Sequence, residues 1–273
     1  MNSQDDMRRW TGAFLRYAEA FGDNDPRYRL KRIHTLGVLG YMNALLKLEG
    51  LDQTQPDLAN LARIAAVFHD IGRFEQLRQY GTFFDSRSVD HAALSVRILQ
   101  ETDMLADLDA DSRRRVMEAI AWHNRLEVRL PDPQTRLVCD LLRDADRLDI
   151  FRVFATEDIQ DTTAHTLQEA WDAPVADKVK SALLSGKCVN KADRQSAMDI
   201  WLTYLGFVND FHFSAAYRLC MAAGFWRRRF DALPQADPAV VACVSHAEAL
   251  LNENCRRTET DSQPDRGTSL SGV

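Results

Sequence analysis

The chain has 273 residues, of which 45% are hydrophobic and 27% charged, the balance of a folded globular protein and not of a mainly disordered one. A formal net charge of −6, from 34 basic against 40 acidic residues, argues against an extended nucleic-acid footprint, which needs a basic excess, and leaves small anionic ligands open. The first residues, MNSQDDMRRW, have neither the positive flank nor the apolar run of a secretion signal, and no stretch reaches the roughly 18 apolar residues of a membrane span. The expectation is a cytoplasmic protein that does not enter membranes.

Apolar residues recur at three and four along most of the chain, which is the helical period. Trp10, Phe14, Tyr17, Ala18 and Phe21 share one face before Gly22 and the turn residues Asn24, Asp25 and Pro26. From about Tyr28, Leu30, Ile33, His34, Gly37, Tyr41, Leu45 and Leu48 share another, ending at Gly50, and His34 faces inward with them. Pro56 and Asp57 open a third helix, whose stripe of Leu58, Leu61, Ala62, Ala65, Phe68 and His69 runs to Ile71 and Gly72.

Residues 73–88 show no clean period and predict a loop or short broken helix, a candidate wall or lid with Tyr80, Phe83 and Phe84. Further helices are predicted at about 89–102, 111–125, 134–152, 175–185, 193–212, 214–229 and 237–255, and no segment alternates as a strand does. The fold class is therefore all-α. Aromatic residues crowd 200–226, where core packing is the simpler reading. Residues 1–255 read as one helical domain, with residues 153–255 an extension of its first part. Arg256 to Val273 lack large apolar side chains and predict a disordered tail.

The five cysteines are scattered, without a CxxC pair, so neither a disulfide framework nor a thiolate zinc site is indicated. The histidines are more informative. His34, His69, His91 and His123 each lie in a predicted helix; taken singly, such a residue is more often a satisfied core group than a ligand. Their company points elsewhere. His69 precedes Asp70, and LLRDADRLDIF places Asp144, Asp146 and Asp149 among apolar residues, where buried carboxylates need partners. Imidazoles and carboxylates projecting from several helices into one core are how helical bundles hold divalent ions.

The segments AAVFHDIGRF and DADRLDIF resemble the two signature segments of the HD superfamily of metal-dependent phosphohydrolases, and the resemblance covers about residues 28–152. It implies an HD-type helical bundle with metal ligands His34, His69, Asp70 and Asp146. DHAALSVRIL and AIAWHNR resemble the extra histidine segments of two-metal members, which adds His91 and His123. Asp146 is preferred to Asp144 because it shares a face with Leu142, Asp149 and Ile150 and occupies the family's position; Asp144 is left as an acceptor orienting a ligand imidazole, and Asp149 as a partner of Arg147 or Arg152.

If two ions bind, Asp70 is placed to bridge them, with His34, His69 and Asp146 on one and His91 and His123 on the other. The ligand types suit Mn, Fe, Ni, Zn or Mg, and the resemblance favours iron or manganese. A metal-activated water then hydrolyses a small phosphate ester or anhydride, a nucleotide being the expected substrate. Asp70 and Arg73 are the expected catalytic residues, and Arg73, Arg87, Asn124 and Arg147 the expected substrate contacts. Structural ion pairs are the competing role for the arginines. The other function compatible with the same ligand set is an HD-type di-iron oxygenase. A homo-oligomer is left open.

Overall fold

The computed structural model describes residues 3–22, 24–233 and 237–261. Their helices, in chain order, are α1 (Ser3–Glu19), α2 (Pro26–Leu48), α3 (Leu51–Thr54), α4 (Pro56–Phe68), α5 (Gly72–Tyr80), α6 (His91–Glu101), α7 (Ala110–Trp122), α8 (Pro133–Thr156), α9 (Ile159–Thr163), α10 (Leu167–Asp172), α11 (Asp177–Leu184), α12 (Ala197–Leu205), α13 (Ser214–Ala223), α14 (Phe225–Asp231) and α15 (Pro238–Asp261). No strand occurs among the described residues, and the all-α class holds.

Several helix starts follow one local rule. An aspartate followed by proline caps the first turn: the Asp25 carboxylate accepts from the Arg27 N–H with Pro26 next in line, and Asp132 accepts from Thr135 N–H ahead of Pro133. The proline surrenders an N–H that no helical carbonyl could have met, while the carboxylate satisfies one that needs a partner.

The long helices α2 and α8 pack along each other, with α4 against both and α7 against α4 and α8. Met42, Leu45, Phe68, Leu142 and Phe151 are buried in this core. Helices α13 and α14 pack on α8, and α15 covers α13 and α11. The aromatic stretch is core, as expected: Trp201 and Trp226 are buried, and the Phe154 ring stands edge-on to Trp201 and stacked on Tyr204.

The structure corrects the sequence reading at several boundaries. Over residues 73–88 the broken-helix alternative holds: a 3-10 turn over Asp85–Arg87 follows α5, which occupies their first half with Phe74 and Leu77 buried. Its period is masked because Gln76, also fully buried, holds an inward position that hydrophobicity alone assigns to the surface. The helix expected over 193–212 is α12 alone, followed by a tighter 3-10 turn over Gly206–Asp210, and the helix expected over 214–229 breaks at Gly224, whose φ of +65° only glycine adopts without strain. Helix α15 runs to Asp261, beyond the expected tail start at Arg256, helped by an Arg257–Glu253 pair one turn apart at 2.6 Å. The rest of the expected tail lies outside the described residues.

Candidate metal centre

Helix ends, more than helix middles, position the site. His69 and His123 are the residues that terminate α4 and α7, and each ring turns its Nδ1 back to the carbonyl three residues earlier, Ala66 O at 2.9 Å and Ile120 O at 2.7 Å. His91 is the first residue of α6, and its Nδ1 meets Asp85 Oδ2 at 2.7 Å. His34 lies within α2, with Nδ1 at 2.7 Å from Asp149 Oδ2. All four Nδ1 atoms are therefore held by acceptors, and all four Nε2 atoms face inward. An acceptor on one ring nitrogen fixes the tautomer and leaves the other nitrogen's lone pair for a cation.

The inward atoms meet around Asp70. Its Oδ2 lies 3.7 Å from both His34 Nε2 and His69 Nε2, while Oδ1 lies 3.4 Å from His91 Nε2. Asp146 Oδ1 is 3.1 Å from His34 Nε2 and 3.6 Å from His69 Nε2. His91 Nε2 and His123 Nε2 are 3.3 Å apart. Donor atoms of His34, His69 and Asp70, of His69, His123 and Asp146, and of Asp70, His91 and His123 fall within 4.8 Å of one another in each set, which is metal-ligand spacing. The His69 Nε2 atom is buried without a hydrogen-bond partner, as an unused ligand position would be.

Two glycines permit this convergence. A Cβ on Gly37 would overlap the Asp149 carboxylate that holds His34. A Cβ on Gly72 would lie 2.6 Å from His91 O and from Ser95 N, so only glycine lets the start of α5 touch the first turn of α6. Gly72 N–H donates to Ser95 Oγ at 2.9 Å, and that hydroxyl donates to His69 O at 2.8 Å, tying the His-Asp pair to the helix that begins with His91.

Charge is distributed to suit a cation. Burial acts to raise the Asp70 pKa, but Lys31, His69, Arg73 and His91 outweigh it and hold the carboxyl well below its usual range. Asp146 is likewise held low against burial by the neighbouring His34 and His69. Burial, with His91 and His69 beside it, pushes His123 down to about 3, so its imidazole is neutral. Burial and Lys31 oppose protonation of His34, yet the hydrogen bonds to Asp146 and Asp149 prevail and raise it to about 9. A divalent ion displaces the proton of an imidazole it binds, and imidazoles with anionic carboxylates are a donor set that fits such ions.

Asp144 is not at this cluster. Burial raises its pKa, and it accepts from the backbone N–H groups of His212 (2.9 Å) and Phe213 (3.0 Å) and faces His212 Nδ1. The carboxylate that orients a clustered imidazole from α8 is Asp149, which also pairs with Arg152 at 2.7 Å. Arg73 Nε stands 3.4 Å from Asp70 Oδ1, while its Nη1 bonds Gln76 Oε1 and Asp85 Oδ1. The Asn124 amide donates to Asp90 Oδ1 at 2.9 Å and leaves its buried Oδ1 without a partner.

Two expected substrate contacts are not brought to the cluster. Arg87 is exposed, stacked 5.4 Å over the Phe84 ring. Arg147, one residue after Asp146, points about 100° away around α8 and pairs with Asp210. Conversely, the structure adds Lys31, whose Nζ is 2.8 Å from Asp70 Oδ2, and Asp85. Lys31 precedes His34 by three residues on α2, so helical spacing alone places it on the same side.

The family model of the HD domain matches residues 32–150. This chain carries an HD domain. A search of curated proteins and a search of solved structures each return no match. The HD domain is an all-α fold of a metal-dependent, generally hydrolytic superfamily, and here it spans the segment from the second turn of α2 to the C-terminal part of α8, which contains all six clustered His and Asp residues. Among the described residues, no helix is long and apolar enough to cross a membrane.

Proposed function

We propose that this chain is a phosphohydrolase that cleaves a nucleotide or similar small phosphate ester or anhydride. The observation that carries the reading is the Asp70 carboxylate, one oxygen facing His34 and His69 and the other facing His91, with the cations Lys31 and Arg73 beside it. On this reading His34, His69, Asp70 and Asp146 hold one divalent ion, and Asp70, His91 and His123 a second, iron or manganese being favoured. These residues would hold ions that, when bound, would acidify a water toward neutral pH and stabilise charge on a phosphoryl oxygen.

The chain's own residues do the rest. Asp149, Asp85 and the carbonyls of Ala66 and Ile120 keep the four imidazoles aimed. Lys31 and Arg73, both beside Asp70, would offer charge-assisted donors to phosphate oxygens, and Asn124 a polar contact beside His123. These cations favour an anionic substrate such as a phosphate ester, and phosphate release is what separates the hydrolase from the oxygenase alternative. Elemental analysis of the purified protein joined to a phosphate-release screen over nucleotides tests the reading. Release of phosphate that is lost with chelation and restored by Mn or Fe is the expected result; no release from any nucleotide by the metal-loaded protein would overturn it.

A further inference from the structure

A cavity of about 480 Å³ opens outside the HD domain, between α10 and the start of α12, lined by His165, Glu169, Lys191, Arg194, Gln195 and Ser196. Its charges do not balance. Glu169 is occupied as the capping-box acceptor of Thr166 N–H at 2.6 Å, and nearby Asp193 lies 3.5 Å from Lys178. Arg194 donates through Nε to the Lys191 carbonyl at 3.2 Å and meets no carboxylate within ion-pair distance among the described residues. Neither does Lys191. Against the single carboxylate of Glu169, these two cations give the cavity a net positive lining.

The segment that carries them is tied to the metal centre. Arg143 donates to His123 O at 3.0 Å and pairs with Asp210 at 2.6 Å; the next residue back, Asn209, donates to the Lys187 carbonyl at 3.0 Å, and Cys188 Sγ meets Gly206 O at 3.3 Å. Lys191 keeps solvent access, yet loss of surrounding water lowers its pKa, Asp85 opposes that, and Arg194 and Arg73 add to it. Lys191 thus stands within electrostatic reach of the residues that orient His91 and face Asp70.

We propose that Lys191 and Arg194 form a second anion subsite, holding a phosphate group of the substrate other than the one cleaved. The inference rests on the phosphohydrolase reading and narrows it: the preferred substrate carries at least two phosphate groups, one at the metal centre and one on the C-terminal helical extension. Both side chains reach solvent, so their removal leaves the core intact.

The test compares wild type with Lys191→Ala/Arg194→Ala on a nucleoside monophosphate and on the same nucleoside bearing a second phosphate. A calorimetric titration of inorganic pyrophosphate into each purified protein accompanies it. The ratio of kcat/KM for the two-phosphate over the one-phosphate substrate is expected to fall about tenfold or more, and pyrophosphate to bind the variant about tenfold more weakly, as loss of charge-assisted bonds implies. An unchanged ratio overturns the inference, as does activation of one-phosphate turnover by free phosphate in wild type alone, which would make the site a regulator's. Should neither substrate be cleaved, the phosphohydrolase reading fails by itself, and the titration still decides: weaker binding to the variant supports the subsite, and equal binding overturns it.

Discussion

Two aspartates on α8, Asp144 and Asp146, sit two residues apart and face different work. Asp146→Ala removes an oxygen from the His34–His69 side of the cluster, so the metal content of the purified protein is expected to fall. Asp144→Ala removes the acceptor of two part-buried backbone N–H groups, those of His212 and Phe213, at a cost of about 1–3 kcal/mol in all. Its melting temperature should drop while metal content holds. Elemental analysis and thermal melts on the two variants check the pair; metal loss in Asp144→Ala alone would reverse the assignment. For Asp149→Asn, metal affinity is expected to weaken about 10- to 100-fold, because His34 loses its anionic acceptor. A competition titration with a chromophoric chelator reads this directly.

At the same scale, the histidines and aspartates were legible in the sequence because an imidazole or carboxylate in an apolar helical stripe costs free energy unless it is partnered. Lys31 and Asp85 were not. A lysine on a helix and an aspartate in a turn are unremarkable by composition, and only the approach of α2 and of the 81–90 segment to Asp70 and His91 gives them a part.

Among the elements, α5 shows what hydrophobic patterning misses. Gln76 is buried because its amide has partners: the two hydrogens of Nε2 are shared among Asp85 Oδ1, Ser88 Oγ and Val89 O, all at 2.9–3.0 Å. Through these bonds α5 holds the segment that supplies Asp85 to His91. Gln76→Leu keeps the volume and strands those acceptors, so it should cost about 1–3 kcal/mol or more and release the segment. Hydrogen exchange over residues 82–90 is the measurement, and unchanged protection there would contradict the role. Gly37→Ala tests the α2–α8 approach. Its methyl group meets the Asp149 carboxylate, and a destabilisation of about 1–3 kcal/mol is expected from overpacking, with weakened metal binding as the second readout. Helix caps and the inward faces of α2 and α4 were legible, since Asp-Pro starts and three-four spacing are local signals. The 3-10 turn after α12 was not, because it answers to packing against distant residues.

For the molecule as a whole, Asp210 is the junction between the HD domain and the helices that follow. It receives both Arg143, nearly fully buried, and Arg147. Burial acts to raise its pKa, but the two guanidinium groups outweigh burial and hold it below its ordinary value of 3.8. The folded-state pKa is thus depressed: the stabilisation is complete above the unfolded value and is lost as pH falls through the folded one. Asp210→Asn removes the carboxylate that both buried guanidinium groups pair with and should cost about 3–5 kcal/mol at neutral pH. The loss relative to wild type should shrink below about pH 4, which melts across that range will show.

The anchoring of the imidazoles carries one more consequence. On the two-ion reading each half of the centre contains one histidine backed by a carboxylate, His34 or His91, and one backed by a main-chain carbonyl, His69 or His123. The halves are therefore matched in imidazole donor strength, share Asp70, and differ by a single anion, Asp146. Occupancy acquires an order: the first equivalent of cation enters beside Asp146, and the second follows at higher concentration. Neutralising Asp146 erases that precedence and merges two steps of a loading curve into one.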